Sequence, residues 1–313
     1  VFLQKIKFNK IYLLFGFIVV LFIIGQTVSP GFAHLKHIMN ILSLSSFLGT
    51  VALGQMIVII SGSEGIDLSI GSVMTLGAVI GSQVMNGLNT NFLPAFVIAV
   101  AVGGLIGTLN GLGVTIMRIP PLIMTLSMGS AIQGLAIMYT NGQPKGRAAD
   151  ILISISTARA WFIPYNLIFW IILSVIAVIF LKYSRWGILL YGTGENKTTA
   201  KLSGVRVRII RTSAFAISGA IAAMGGLLQL GYTGTSFLDL GNAFIMPSVA
   251  AVVIGGVALS GGKGTYIGVA AGAIVLTLLS SLLVTLRMGE AGRQIVYGAV
   301  LMTLLIIYTR GKK

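Results

Sequence analysis

Carboxylates are scarce in this chain: Asp and Glu together number 6 in 313 residues, and charged residues of both signs make up only 9%. A soluble domain carries roughly 25% charged residues, so no sizeable soluble domain is expected. Cysteine is absent, which excludes disulfides and thiolate metal sites. Histidine is nearly so. His34 and His37 are three apart, on one face of a helix, but no nearby carboxylate completes a metal set. They read as an interfacial pair on a short outer amphipathic segment, GFAHLKHIMNIL. No GxSxG and no HExxH occurs, which argues against an intramembrane hydrolase. VALSGGKGT is not a phosphate loop either. Val257 stands where that motif needs its first glycine, and Gly264 where it needs Ser or Thr; the cluster reads as an inner turn. No catalytic set emerges.

What fills the chain is hydrocarbon. It is 56% hydrophobic, its mean hydropathy is +1.00, and apolar runs recur from residue 11 to residue 309. Runs such as YLLFGFIVVLFIIG lack the alternation of barrel strands, which come in segments of about ten residues. The fold class expected is an all-α, polytopic helical membrane protein. With about 20 mostly apolar residues needed per crossing, spans fall near 11–28, 42–61, 68–87, 95–117, 121–139, 163–182, 210–231, 246–260, 264–285 and 292–309. The first follows Lys5, Lys7 and Lys10 and exceeds the roughly 7–15-residue core of a signal peptide, so it is expected to stay as an uncleaved span. The eighth, IMPSVAAVVIGGVAL, is short and opens near Pro247, leaving a re-entrant path as the alternative. Of the 21 Lys and Arg, fifteen fall on one set of connecting segments and six on the other. The positive-inside bias then places both termini inside and favours ten spans over nine. The same bias accounts for the net charge of +15 without nucleic acid.

Glycine is abundant, with 41 residues. In GGLIGTLNGLG, Gly103, Gly107 and Gly111 recur on one helix face, and ISGAIAAMGG does likewise with Ser218, Ala222 and Gly225 or Gly226. Small residues at this spacing let helices approach closely in lipid. Two of the few acids, Glu64 and Asp67, share the stretch SEGIDLSIGS at the inner end of spans two and three. Asp67 is placed to cap the third span through free backbone N–H groups, with Gly65 and Gly71 letting the chain bend. The alternative makes it a gate, since an ionisable group at membrane depth is costly. The longest inner loop, KYSRWGILLYGTGENKTTAKLSGVRVRIIR, holds seven basic residues. Asn196 or Thr198 can cap a short helix through Ala200 and Leu202, ended by Gly204 in the left-handed conformation. Such a helix either docks on a cytoplasmic partner or belongs to an ordinary basic loop. LSIG (68–71) and LSGG (259–262) share a pattern too short to establish a repeat.

These segments resemble the membrane permease subunit of bacterial ABC importers for ribose, galactose, xylose and related sugars. EGIDLSIGS (64–72), MTLSMGSAIQGLAIMYTNGQP (124–144), GTGENKTTAKLSGV (192–205) and AAVVIGGVALSGGKGTYIG (250–268) are similar to that family's motifs, in order. Two departures stand out: Glu64 occupies a common glycine position, and only Ala200 remains of the usual Ala-Ala pair. The resemblance implies a single transmembrane permease domain over 1–313, in the cytoplasmic membrane, without cofactor or metal of its own. It implies a second permease subunit, ATPase subunits binding ATP and Mg, and an outer solute-binding protein. The loop at about 183–209 then holds the coupling helix, with Gly194, Glu195, Asn196, Ala200, Leu202, Ser203 and Gly204 meeting the ATPase. Gly65, Asp67, Ser69 and Gly71 become gate candidates. A neutral polyol needs hydrogen-bonding surfaces, for which Asn110, Gln133, Gln229 and Asn242, with Asp239 beside it, are the path candidates. A nucleoside, a furanone-type signal or an amino acid is the alternative solute. An ion-driven carrier is the rival class, and it needs carboxylates near the midplane, where no acid falls.

Overall fold

The computed structural model describes residues 10–62, 65–289, 291–293, 295–299 and 302. Lys5, Lys7, Glu64 and the tail from 303, including Arg310, Lys312 and Lys313, lie outside the described residues, as does most of the expected tenth span. The helices are α1 (Lys10–Val28), α2 (Leu35–Ile60), α3 (Ile70–Met85), α4 (Phe92–Thr115), α5 (Pro121–Thr140), α6 (Asp150–Thr157), α7 (Tyr165–Tyr183), α8 (Arg185–Glu195), α9 (Lys197–Leu202), α10 (Val207–Thr233), α11 (Ile245–Ile254) and α12 (Tyr266–Thr285). A small antiparallel hairpin, β1 (Arg159–Ala160) and β2 (Ile163–Pro164), precedes α7.

Among the described residues, six helices are long and apolar enough to cross a membrane: α2, α4 with the turn before it, α5, α7, α10 and α12. The chain is a multi-pass helical membrane protein. Its helices start and stop where local chemistry dictates. Pro121 opens α5 at a position where a missing N–H is harmless. Asn86 and Asn141 close α3 and α5 in the left-handed region, at φ 41° and 49°. His34 caps α2, its Nδ1 accepting from Lys36 N at 3.3 Å, whereas His37 Nε2 meets Ser281 Oγ at 3.2 Å. The two histidines thus serve separate contacts.

α10 is the hub, packed along α2, α3 and α4. The small-residue faces meet as their spacing predicts: Gly103, Gly107 and Gly111 of α4 lie on Gly219, Phe215 and Thr212 of α10. In lipid no hydrophobic gain holds helices together, so this close backbone packing carries the association. A second lock ties α2, α7 and α12. Trp170 Nε1 donates to Tyr266 Oη at 2.8 Å, and Tyr266 Oη donates to Gly49 O at 2.9 Å, all buried. By contrast α4, α5 and α7 turn apolar side chains outward, such as Leu105, Met138 and Ile176, the surface a bilayer would solvate.

Two of the expected spans differ in the structure. The eighth span, expected over 246–260, is helical only over Ile245–Ile254. Its approach is irregular: from Ser236, whose hydroxyl meets Ser82 near the end of α3, the chain runs back to Gly241, which packs on Gly71 near the start of that helix. Ser82 lies eleven helical steps beyond Gly71, about 16 Å, so 236–241 descends well into the bundle. The third span is likewise short, Ile70–Met85, and the stretch before it folds back along α2.

Candidate functional site

The bundle end carrying α8 and α9 is built from caps and glycines. Ser184 Oγ accepts from Gly187 N at 2.9 Å and starts α8. Trp186 stacks on Phe180 at 5.6 Å and donates to Ser213 Oγ at 2.8 Å, fixing α8 against α7 and α10. Asn196 Oδ1 accepts from Thr198 N and Thr199 N, both at 3.0 Å, and caps α9. Gly204, at φ +81°, ends it: its N–H donates to Lys201 O, and Val205 N donates to Ala200 O, the Schellman arrangement. The cap and stop fall where the sequence places them. Ala200 is buried, but Leu202 is 84% exposed, flanked by exposed Lys201, Ser203 and Gly204.

The α8–α9 corner is fused to the bundle at a backbone junction. A Cβ on Gly194 would fall on the Ile60 carbonyl oxygen and 2.5 Å from Gly262 N. Gly262 N donates to Ile60 O at 3.0 Å, and a Cβ on Gly262 would strike the Glu195 backbone. Gly62 and Gly261, at φ +85° and +93°, touch directly, a turn and an approach that a side chain forbids at once. The glycine cluster rejected as a phosphate loop is therefore one wall of this junction. Lys263 Nζ and Glu195 Oε1 pair at 2.9 Å on its rim. Tyr191 Oη donates to Gly264 O at 2.9 Å, and burial raises that phenol's pKa, keeping it a donor. From α10, the buried Arg211 donates Nη2 to Gly62 O at 3.2 Å.

Three residues past Gly62 the chain is described again at Gly65, and there the bundle holds a polar cluster around Asp67. Gln55, with its amide turned to satisfy both, donates to Asp67 O at 3.0 Å and accepts from Asp67 N at 3.2 Å. Gln55 precedes the end of α2 by five residues, about 7.5 Å, so Asp67 lies inside the bundle rather than at its rim, and it is 1% exposed. Its carboxylate accepts from Ser69 N (3.0 Å), Ser69 Oγ (2.6 Å) and, across the interface with α10, Ser218 Oγ (3.2 Å). Ser69 Oγ also accepts from Asn110 Nδ2 at 2.9 Å, and Thr125 Oγ1 accepts from Leu68 N at 3.0 Å. Helices α2, α4, α5 and α10 therefore each send one polar side chain to an unwound segment. Ser69 is the residue flanking α3, and its own side chain makes no cap bond. Gly65 and Gly71 are hemmed in by Val58 O and Gly241 O, each 2.7 Å from where a Cβ would stand.

The four path candidates are not brought together. Asn110 is fully buried in the Asp67 cluster, with its Oδ1 unpartnered. Gln133 sits half-exposed on α5, and Gln229 on α10 has a buried, unpartnered Oε1. Asn242 Nδ2 donates to Asp239 Oδ1 at 2.9 Å in an exposed turn before α11. Sequence reasoning missed Gln55, Thr125, Tyr191 and Arg211, and it read Ser218 only as a small packing residue. Lone polar residues inside apolar runs were the available signal.

Over residues 37–307 the chain matches the family described as branched-chain amino acid transport system / permease component. The chain belongs to this family of ABC importer permeases. It is 30% identical over 294 residues to the ribose import permease protein RbsC of Escherichia coli, covering 93% of this chain and 91% of that one. RbsC of Haemophilus influenzae is 32% identical over 276 residues, covering 85% and 83%. The autoinducer 2 import system permease protein LsrC of Yersinia pseudotuberculosis is 32% identical over 292 residues, covering 92% and 82%. No solved structure matches the chain. Membership makes the protein a transport subunit rather than an enzyme, and implies that a partner subunit uses ATP and a binding protein delivers the solute.

Proposed function

We propose that this permease carries a monosaccharide or similar small polar solute across the bacterial inner membrane by alternating access. In this reading residues 1–313 form one domain of ten spans, with both termini and α8–α9 on the cytoplasmic side. Two permease subunits, identical or paralogous, assemble with two ATPase subunits that hold ATP and Mg. The binding protein docks at the opposite end. The observation that carries the reading is the α9 corner: a capped helix that exposes Leu202 to 84% and is joined by the Gly194 junction to the chain entering the Asp67 cluster. An exposed leucine on a rigid protrusion suits a groove on a partner, and Gly194, Glu195, Asn196, Ser203 and Gly204 shape its base.

Tagged permease expressed with its partners tests this. Leu202→Asp is expected to cut ATPase co-purification at least tenfold without changing the permease's thermal stability, because Leu202 contributes almost nothing to its own core. Full retention of the ATPase with normal uptake would sink the proposal. An ion-driven carrier would need a buried carboxylate, and Asp67 supplies one. Uptake that persists in proteoliposomes lacking ATP but holding a proton or sodium gradient would favour that class. For the solute, the name of LsrC sets autoinducer 2 beside ribose; a furanone-type signal, nucleosides and amino acids complete the panel to screen against the co-purified binding protein.

A further inference from the structure

At the end of the bundle opposite α9, Gln83, Asn86, Tyr139, Thr140, Asn141 and Gln143 line an open cup of about 450 Å3. That volume lies within the range of about 300–1,000 Å3 usual for small-molecule sites. Thr140 Oγ1 donates to Ala136 O at 2.7 Å. No other side chain of this set is hydrogen-bonded to a described residue, so four amides and a phenol stand free. Each amide offers two donors and an acceptor with two lone pairs. Tyr139 is 57% exposed and presents a ring face. Lys145 is the only charged residue in the lining, and no carboxylate is present.

The floor of the cup is fixed. Gly146, at φ +84°, lies on the Ser82 carbonyl. Ser82 Oγ meets Lys145 O at 3.1 Å and Ser236 Oγ at 2.7 Å. Gly87 N donates to Arg147 O at 3.0 Å, and Ala148 N donates to Gly234 O at 2.9 Å. Loop 141–148 is thus pinned to α3 and α10, so its polar groups are held before any ligand arrives, which reduces the ordering entropy of binding. From Asn141, exposed Gly134, Ser130 and Ser127 continue down one face of α5.

We propose that this cup is the first site on the permease for a neutral polyhydroxylated solute, a monosaccharide, as it leaves the binding protein. The proposal rests on the import reading above. Free amides, an aromatic face and the lack of acids match a ligand with many hydroxyls and no charge; a cation would want a carboxylate, which the lining lacks, and an anion more than the single Lys145.

The cysteine-free chain allows a direct test in the assembled complex. Gln143→Cys and Asn141→Cys, each alone, are labelled with a membrane-impermeant methanethiosulfonate in the presence of D-ribose, D-xylose or D-galactose, with Thr90→Cys on a neighbouring loop as control. At least one sugar is expected to slow labelling at 141 and 143 threefold or more, and to leave Thr90→Cys unaffected. Gln83→Leu with Gln143→Leu should raise the uptake KM about tenfold at unchanged assembly. No protection by any sugar that the complex imports would overturn the cup and leave the import reading standing. Protection by the binding protein without sugar would overturn it too, making the surface a protein contact. A complex that imports nothing in the panel would remove the import reading and the cup with it.

Discussion

Gly194→Ala is the sharpest perturbation of the proposed route from α9 into the bundle. The new methyl would fall on Ile60 O on one side and stand 2.5 Å from Gly262 N on the other. Carbon contacts settle at about 3.5–4.0 Å, so the contact with Gly262 N alone asks for a retreat of about 1 Å and the one with Ile60 O for more. Neither neighbour is a side chain that can swing away. Overpacking of this kind costs about 1–3 kcal/mol, and the backbone on both sides puts this site at the upper end. A loss of about 3 kcal/mol lowers Tm by about 6–12 °C on globular-protein scaling. α8 is held elsewhere by Ser184 and Trp186, so the retreat falls on the segment bearing α9. Gly192, two residues earlier in the same helix, meets nothing within 4 Å. Gly192→Ala is therefore the matched control, with a gain of up to about 1 kcal/mol from helix propensity. The assays are a thermal scan of the purified complex and its ATPase stimulation by loaded binding protein. Gly194→Ala should lose both stability and stimulation, and Gly192→Ala should keep both. Wild-type stimulation in Gly194→Ala would refute the junction as a transmitter.

Asp67→Asn retains an oxygen for Ser69 and can turn its amide to donate to Ser218 Oγ, so stability should change by less than about 1 kcal/mol. Asp67→Ala removes three accepted bonds and should cost about 3 kcal/mol at roughly 1 kcal/mol each. Uptake by Asp67→Asn above half of wild type supports a hydrogen-bonded clasp, and complete loss at normal assembly assigns the charge itself a gating role. Gly107→Leu would drive a side chain into the Phe215 carbonyl and should abolish the monodisperse peak in size exclusion; recovery of normal yield would contradict the α4–α10 packing. Lys263→Ala breaks a pair whose side chains are 70% and 51% exposed, so its effect should stay below about 1 kcal/mol and uptake should persist. A larger loss would mean the junction depends on charge rather than on glycine.

The parts legible in the sequence are those governed by local chemistry. The Gly103, Gly107, Gly111 stripe announces its helix contact because small residues at every fourth position share a face. Asn196 and Gly204 mark α9 because a cap and a left-handed stop need those residue types. What escaped depends on chain path. Hydropathy averages over windows, so GYTGTSFLDLGNAF reads as an outer loop, though 236–241 descends beside α3. Likewise SEGIDLSIGS reads as a rim turn, though Asp67 is drawn inward by Gln55 and Ser218, 12 and 151 positions away, and its neighbour Leu68 by Thr125, 57 positions away. No pattern at helical spacing links such partners. The α6 helix and the β-hairpin were missed because eight and two-residue elements give too little periodicity.

Unwound backbone inside a membrane bundle persists only where its polar groups find protein partners, and the unwound segments before α3 and α11 both meet that condition. Segment 65–69 is served by Gln55 and Thr125, and Gly241 N donates to Thr75 Oγ1 at 2.9 Å. The second segment also packs on the first turn of α3, just past the first segment, Gly241 against Gly71. Each has a second tie to the Gly194 junction, the first through Gly62 and the second through α11 and the 258–264 turn. Short or interrupted helices of this kind are where transporters build their binding sites. In the proposed coupling, a displacement at α9 would meet backbone on backbone at the Gly194 junction. Such contacts cannot absorb motion by changing rotamer. If α9 is the coupling helix proposed above, the glycines that make the junction tight are what would keep a small shift at the protrusion from dissipating there, and the Gly194→Ala measurement decides it.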